Sequence, residues 1–105
     1  VDGLPVTFSA CWLQDYLRSK WAYTGVVISD DLSMLACREV GDALDCCQAA
    51  LNAGCDIALV CNDRVGVCET LAYFERTAYA HQSSYLDAFM QRLAKQLTLE
   101  YSCRE

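Results

Sequence analysis

The sequence lacks the long apolar runs that mark proteins inserted in membranes. Across its 105 residues no apolar stretch approaches the roughly 20 residues of a membrane-spanning helix. The first residues also lack the basic stretch followed by an apolar stretch that marks a secretory signal. We therefore expect no membrane partner and no secretion.

Basic residues are scarce as well. Eight Lys and Arg residues stand against 14 Asp and Glu residues, which gives a formal net charge of -6. A nucleic-acid partner would require a basic face, so we expect none. Glycine-rich loops, which cradle phosphate groups, follow neither of the strands predicted below. Their absence weakens the interpretation of the chain as a phosphate-binding α/β domain.

Histidine is nearly absent, and the cysteines are not spaced for zinc. His81 is the only histidine, and no two cysteines form a Cys-x2-Cys pair. We predict neither a metal nor any other cofactor. Eight cysteines in a short secreted chain would suggest a disulfide framework. Here Cys11, Cys47, Cys55 and Cys61 occupy positions where a small apolar residue would serve, which favours reduced thiols and a cytoplasmic location.

The stretch Gly25–Met34 combines a predicted buried strand with ionisable side chains. Val26–Ile28 is a run of β-branched residues, typical of a parallel strand covered on both faces. In parallel α/β folds the ligand crevice lies outside the carboxyl ends of the strands, where Asp30 and Asp31 follow. Neighbours on an extended chain point in opposite directions, so we expect only one carboxylate to carry chemistry. Alternatively, the pair only caps a turn.

A second strand is predicted after an intervening helix. Asp42 can cap that helix, and Gly54 can end it. Its apolar positions recur every three or four residues, at Leu44, Cys47, Ala50 and Leu51. Ile57–Val60 forms the second strand, so residues 25–61 predict one right-handed βαβ unit with adjacent parallel strands. Asn62 follows this strand and is a candidate for lining the same site.

Three further helices are predicted around this unit. One begins at Ser9, as N-cap, and ends near Lys20. Asp63 is expected to cap another from Arg64, and the third spans about residues 84–100. The apolar stripes of the last two helices consist of Val65, Cys68, Leu71 and Phe74, and of Leu86, Phe89, Leu93 and Leu97.

Three conspicuous side chains have a structural interpretation. Trp12 and Trp21 could be imagined as platforms that stack on sugars, but their helical spacing favours packing in the core. His81 could be imagined as a general acid or base. It lies in a polar stretch between two predicted helices, so we expect an exposed loop residue.

Gly25–Met34 and Ala53–Asn62 together resemble the C-terminal part of the bacterial β-N-acetylhexosaminidases of glycoside hydrolase family 3. A strand that ends in Ser-Asp-Asp-Leu-Ser-Met is a far more specific sign than a glycine-rich loop. The upstream segments that also look like this family are Thr7–Ser9, Trp12–Leu13 and Leu17–Arg18. The resemblance therefore covers about residues 5–66.

The resemblance implies roles for individual residues. The aspartate directly after the serine is the family's catalytic nucleophile, which by position is Asp30. Met34 could flank the sugar, with packing in the core or in a lid as an equal alternative. The family often continues with Glu-Gly-Ala where this chain has Leu35–Cys37, so the loop departs from the pattern there. The histidine–aspartate acid and the Lys-His pair that holds the sugar lie upstream in the family, and neither motif occurs here.

The resemblance also implies a fold. The family's catalytic barrel resembles the (β/α)8 fold, which needs about 250 residues. Residues 1–105 can supply only its last two or so βα units, as a single partial domain. The expected fold class is thus α/β, a C-terminal βαβ-plus-helices fragment of a TIM-like barrel. Strand edges left unpaired in such a fragment predict self-association.

The implied reaction is the retaining removal of terminal N-acetylglucosamine from peptidoglycan fragments, muropeptides, during cell-wall recycling. Asp30 would act as nucleophile in a cytoplasmic enzyme that uses no metal or nucleotide. We expect the chain alone to be inactive, since the acid is missing. The alternative is a non-catalytic α/β scaffold or interaction module whose Asp30–Asp31 pair only forms a turn.

Overall fold

The structure, a computed structural model, describes residues 3–77 and 87–97. The chain begins with a 3-10 turn at Val6–Phe8 and a π-helix at Cys11–Lys20. The βαβ region follows, and its elements are β1 at Ile28–Asp31, a 3-10 turn at Leu35–Cys37, α1 at Ala43–Ala53 and β2 at Ile57–Leu59. The helix α2 spans Arg64–Thr77, and residues 87–97 are also helical.

The two strands pair in parallel and are joined through α1, which confirms the predicted βαβ unit. The predicted bounds of the first strand are wrong, because β1 begins at Ile28 and continues through Asp31. The reason that β1 does not begin before Ile28 lies at Val27, one residue earlier. The Val27 amide donates to the side chain of Asp56 at 2.9 Å, so it bonds to a carboxylate rather than to the sheet. β2 ends one residue earlier than predicted.

The bounds of α1 follow from its caps. The Asp42 carboxylate accepts from the Asp45 amide at 2.9 Å, and the Asp45 carboxylate accepts from the Asp42 amide at 3.2 Å, which forms a capping box. Gly54 ends the helix with a φ of 127°, a conformation that side chains disfavour. The predicted caps are confirmed.

The core lies mainly between α1, the sheet and the start of the chain. Its buried members are Phe8, Leu13, Leu32, Cys37, Cys46, Cys47, Ala50, Ala53 and Cys55. Seven described cysteines are free thiols. Four of these are buried, and burial raises the pKa of the Cys47 and Cys55 thiols. The expectation of an apolar environment is wrong for Cys61, which is exposed.

The second face of the sheet is open, so the prediction that both faces are covered is wrong for this chain. Ser29 lies on the buried side, whereas Ile28 is 57% exposed and Leu59 is 42% exposed. Ile57 shares this exposed face. A closed (β/α)8 barrel turns such a face towards its interior, away from the helices. We call Ile28, Asp30, Ile57 and Leu59 the open face.

The packing face of α2 differs from the predicted stripe. Asp63 caps the helix as predicted, since its carboxylate accepts from the Gly66 amide at 2.9 Å. Val65 and Leu71, however, are largely exposed, and the residues that become buried are Gly66 and Thr70. Glycine at 66 permits close approach to α1, because a methyl group there would lie 2.6 Å from the Ala43 Cβ.

The first helix also departs from prediction at its end. Ser9 acts as a cap, with its hydroxyl accepting from the Trp12 amide at 3.2 Å. The Trp21 amide bonds to the Tyr16 carbonyl five residues earlier, which is π-type winding rather than the α-helical winding on which the stripe was predicted. The prediction that Trp21 packs in the core is therefore wrong. Its ring is 60% exposed and lies against Trp12 and Tyr16 at 6.4 and 6.2 Å between centroids.

Some predictions lie outside the described residues, including those for His81 and Leu86. None of the helices in residues 3–77 and 87–97 combines the length and apolar character needed to cross a membrane.

Candidate functional site

Asp30 stands at the carboxyl end of β1 on the open face, with its side chain exposed. Its backbone amide donates to the Thr7 hydroxyl at 3.3 Å. One carboxylate oxygen, Oδ1, accepts from the Asp31 amide at 2.8 Å. The Asp30 carboxylate is thus oriented by backbone while remaining accessible to a ligand.

Asp31 has the opposite character, because its carboxylate bonds within the chain. Its Oδ1 accepts from the Ser33 hydroxyl at 2.7 Å, from the Ser33 amide at 2.9 Å and from the Cys61 amide at 3.0 Å. These bonds, those from Ser33 foremost, hold the pKa of Asp31 below its ordinary value. As strand alternation predicts, the two neighbouring carboxylates face different partners.

Asn62 and Met34 lie at the same end of the sheet as Asp30. The backbone amide of Asn62 donates to the Ser33 hydroxyl at 3.3 Å, which connects the loop after β2 to the loop after β1. The side chain of Met34 is 39% exposed, and the backbone around it forms turns to Asp31 and Cys37. Because β1 and β2 are parallel, the loops that carry these residues leave the sheet at one edge.

Sequence reasoning missed Ser29. The pairing of Ile28 with Ile57 and of Asp31 with Leu59 leaves two residues of β1 opposite one residue of β2, which is a β-bulge. The Ser29 hydroxyl, buried in this bulge, accepts from the Leu59 amide at 2.8 Å and donates to the Asp30 carbonyl at 2.8 Å. The signal in the sequence that could have identified Ser29 is its position, as a polar residue directly after a run of β-branched residues.

Within the described ranges no group of three or more His, Cys, Asp or Glu side chains is arranged to hold a metal ion. A cavity of about 430 Å³ lies instead at the amino end of β2, lined by Arg18, Asp56 and Arg92 among others. Arg18 and Arg92 are both paired there with Asp56, and Arg18 also donates to the backbone carbonyls of Tyr23 and Gly25.

Comparison with known proteins shows what the chain is similar to. Its residues 1–95 match the family described as "Glycosyl hydrolase family 3 N terminal domain". A beta-hexosaminidase from Hydrogenovibrio crunogenus is 53% identical to it over 72 residues, which make up 69% of this chain and 20% of that protein.

Solved structures agree with this assignment. The beta-N-acetylglucosaminidase from Thermotoga maritima superposes with a TM-score of 0.70 at 27% identity, over 93% of this chain and 22% of that one. NagZ from Neisseria gonorrhoeae, solved in complex with N-trifluoroacetyl-D-glucosamine, gives a TM-score of 0.61 at 29% identity, over 88% of this chain and 24% of that one.

These matches confirm the predicted fold class, a fragment of a TIM-like barrel. The chain spans about a fifth of the length of the Hydrogenovibrio crunogenus relative. The family match covers most of the chain and includes both strands and the exposed Asp30. The chain therefore belongs to the family of the glycosyl hydrolase family 3 N-terminal domain.

Proposed function

We propose that this chain is the nucleophile-bearing part of a retaining β-N-acetylglucosaminidase that releases N-acetylglucosamine from muropeptides in cell-wall recycling. The observation that carries the proposal is the contrast between the two aspartates. Asp30 presents an exposed carboxylate on the open face, whereas the Asp31 carboxylate is engaged by Ser33 and Cys61. The names of the similar proteins, beta-hexosaminidase and beta-N-acetylglucosaminidase, support the substrate class.

Retaining hydrolysis assigns one role to this chain. Asp30 attacks the anomeric carbon and forms a covalent glycosyl-enzyme, while a second group protonates the leaving oxygen. On this proposal that second group, together with the groups that hold the sugar, comes from the remainder of the barrel. The chain alone therefore has no measurable turnover, because these interactions are what stabilise the transition state.

Two further side chains contact the sugar on this proposal. Met34, exposed in the loop after β1, packs against the substrate from one side. Asn62, exposed after β2, offers an amide that both donates and accepts hydrogen bonds, which suits sugar hydroxyls. Neither residue takes part in the bond-breaking step, so replacing either one should raise KM more than it lowers kcat.

The proposal extends to the whole molecule. Residues 1–105 form a single partial domain, which completes its fold only with the other strands of the barrel. On this proposal the enzyme acts in the cytoplasm, a compartment in which the free thiols of the described residues would stay reduced. The chain alone covers its open face by self-association.

The test requires a complete barrel. We define the complete barrel as the Hydrogenovibrio crunogenus relative in which the 72 matched residues of this chain replace the corresponding segment. Asp30→Asn should abolish hydrolysis of a chromogenic N-acetylglucosaminide and prevent formation of a covalent glycosyl-enzyme, which mass spectrometry detects. Asp31→Asn is the matched control, since it makes the same change one residue away, and it should retain measurable turnover.

Two results would contradict the proposal. Near-normal activity of the Asp30→Asn barrel, with loss in Asp31→Asn, would reassign the nucleophile. If both variants matched the unmodified barrel, the non-catalytic scaffold would be the better interpretation. Turnover by the 105-residue chain alone, at a rate comparable to that of the complete barrel, would show that the chain needs no further part.

A further inference from the structure

The polar groups around Asp30 connect the ends of both strands. The bulge in β1 places Ser29 where its hydroxyl occupies the gap opposite β2, bonded to the Leu59 amide and to the Asp30 carbonyl. Bulges are frequent next to active sites, where they redirect a side chain. Ser29 is 5% exposed, so this hydroxyl cannot exchange its partners for bulk water without opening the sheet.

Asp31 makes a second connection one residue further along. Its Oδ1 receives the Cys61 amide at 3.0 Å from the end of β2 and both the amide and the hydroxyl of Ser33 from the loop after β1. The Ser33 hydroxyl in turn accepts from the Asn62 amide. We call Ser29, Asp31 and Ser33 the strand-end clamp.

Asp30 lies between these two connections along the chain. Its carbonyl is held by Ser29 and its carboxylate by the Asp31 amide, at 2.8 Å in each case. Hydrogen bonds of charged groups are roughly twice as strong as neutral ones, so the bonds from Cys61 and Ser33 to the Asp31 carboxylate hold Asp31 firmly at the end of β2. The orientation of the Asp30 carboxylate thus depends on bonds that its neighbours make to β2.

We propose that Asp31 is a positioning residue which, together with Ser29, aims the Asp30 carboxylate by clamping the end of β1 to the end of β2. Asp31 does not touch the substrate. The inference rests on the proposed function, because it assigns Asp31 and Ser29 a role in orienting the proposed nucleophile. It explains why a second aspartate adjoins the first without facing the same ligand.

The test uses four variants of the complete barrel. Asp31→Ala removes the carboxylate that accepts these hydrogen bonds, and Asp31→Asn keeps an amide oxygen in its place. Ser29→Ala removes the hydroxyl from the bulge. Asp15→Ala, at an exposed carboxylate on the π-helix, is the matched control. A misplaced nucleophile slows the chemical step and leaves ground-state binding intact, so Asp31→Ala should lower kcat about 10- to 100-fold with KM changed less than about threefold. Ser29→Ala should change kcat and KM in the same way.

The conservative variant Asp31→Asn distinguishes a role in positioning Asp30 from an effect on stability alone. Asp31→Asn should retain a kcat between those of the unmodified barrel and Asp31→Ala, because its amide oxygen can still accept from Cys61 and Ser33. Values of kcat are expressed per folded molecule, with folding measured by circular dichroism. Asp15→Ala should leave both kinetic constants unchanged. Wild-type kcat in Asp31→Ala, or equal loss in Asp31→Asn and Asp31→Ala, would overturn the proposal while leaving the role of Asp30 in place.

A crystal structure of the Asp31→Ala barrel tests the clamp without relying on activity. We expect the Asp30 carboxylate to move by about 1 Å or more, a displacement large enough to cost a factor of about 100 in rate. An unmoved carboxylate would refute the clamp whatever the kinetics show. Failure of Asp30→Asn to abolish turnover would instead refute the proposed function, so the two failures are distinguishable.

Discussion

At the scale of single residues, Asp56 is the carboxylate that connects the most distant parts of the chain. Its side chain is 1% exposed, pairs with Arg18 of the π-helix at 2.9 Å and pairs with Arg92 in the helical residues 87–97. It also accepts from the Val27 amide. Removing charges from water is costly, and the cost is offset only when several partners surround each charge. Asp56 meets this condition, so its role is structural.

Replacing Asp56 with Asn should therefore destabilise the chain strongly. The variant keeps the size of the side chain but leaves two guanidinium groups facing a neutral amide, and breaking a buried ion pair costs about 3 to 5 kcal/mol. Urea unfolding of the complete barrel, followed by circular dichroism, measures the change, because the chain alone is expected to self-associate. Asp15→Asn, at an exposed carboxylate, should alter the free energy of unfolding by less than about 0.5 kcal/mol. Equal midpoints for Asp56→Asn and the unmodified barrel would contradict this account.

At the scale of elements, the packing of α2 on α1 depends on one glycine. A methyl group on Gly66 would lie 2.6 Å from the Ala43 Cβ and would also meet the Asp63 carboxyl group. The Thr70 hydroxyl bonds back to the Gly66 carbonyl at 2.7 Å, which satisfies this polar side chain in its buried position. Gly66 and Thr70 are thus the buried residues of α2, Phe74 also packs against the core, and the apolar residues Val65 and Leu71 face outward.

Gly66→Ala sets two effects against each other. Alanine is favoured over glycine in a helix by about 1 kcal/mol, but overpacking a close contact costs about 1 to 3 kcal/mol. Because the clash here involves a cap carboxylate and a neighbouring helix, we expect a net loss of about 1 kcal/mol in the free energy of unfolding. Glu69→Ala, at an exposed position of the same helix, isolates the helix-propensity term and should be neutral. A Gly66→Ala chain more stable than the parent would show that the helices separate without cost.

Local rules account for the elements that sequence analysis predicted correctly. The caps Ser9, Asp42 and Asp63 each accept from an amide three residues away, so the sequence contains all the information that places them. The exposed position of Asp30 at a strand end follows from the same local pattern. Ser29 and Asp31 differ, because their partners Leu59 and Cys61 are 30 residues away and depend on the register between strands.

Two further mispredictions have physical causes that a hydrophobic pattern does not contain. The predicted stripe is confirmed at Phe74, which packs against the core, and is wrong at Val65, Cys68 and Leu71, which are exposed. Close packing between the helices places Gly66 and Thr70 in the buried positions instead. The burial of Trp21 assumed α-helical winding, which the π-helix does not have. The first error concerns how two helices pack, and the second concerns the winding of one helix.

At the scale of the whole molecule, the two-stranded sheet is incomplete on one face and at its edges. Ile28, Ile57 and Leu59 expose apolar surface on the open face, and only β1 and β2 pair in the described ranges. Barrels remove such edges by closing, whereas an open edge is a template for pairing with another chain. Two parallel strands without further pairing are also marginally stable in water. The proposed barrel would enclose the open face and pair the strand edges. The isolated chain must cover the same surface in another way.

We expect the isolated chain to self-associate through the open face and the strand edges. Apolar surface and unpaired strand edges both favour contact with a second copy, and the net charge of -6 opposes it at low ionic strength. Sedimentation across a concentration series should therefore show species heavier than the 11.7 kDa chain, with more of them as salt is added. Leu59→Lys places a charge on the open face and should shift the distribution towards the monomer, whereas Leu71→Lys on the exposed side of α2 should not. A single monomeric species at every concentration and salt level would mean that the helices of this chain cover the sheet well enough by themselves.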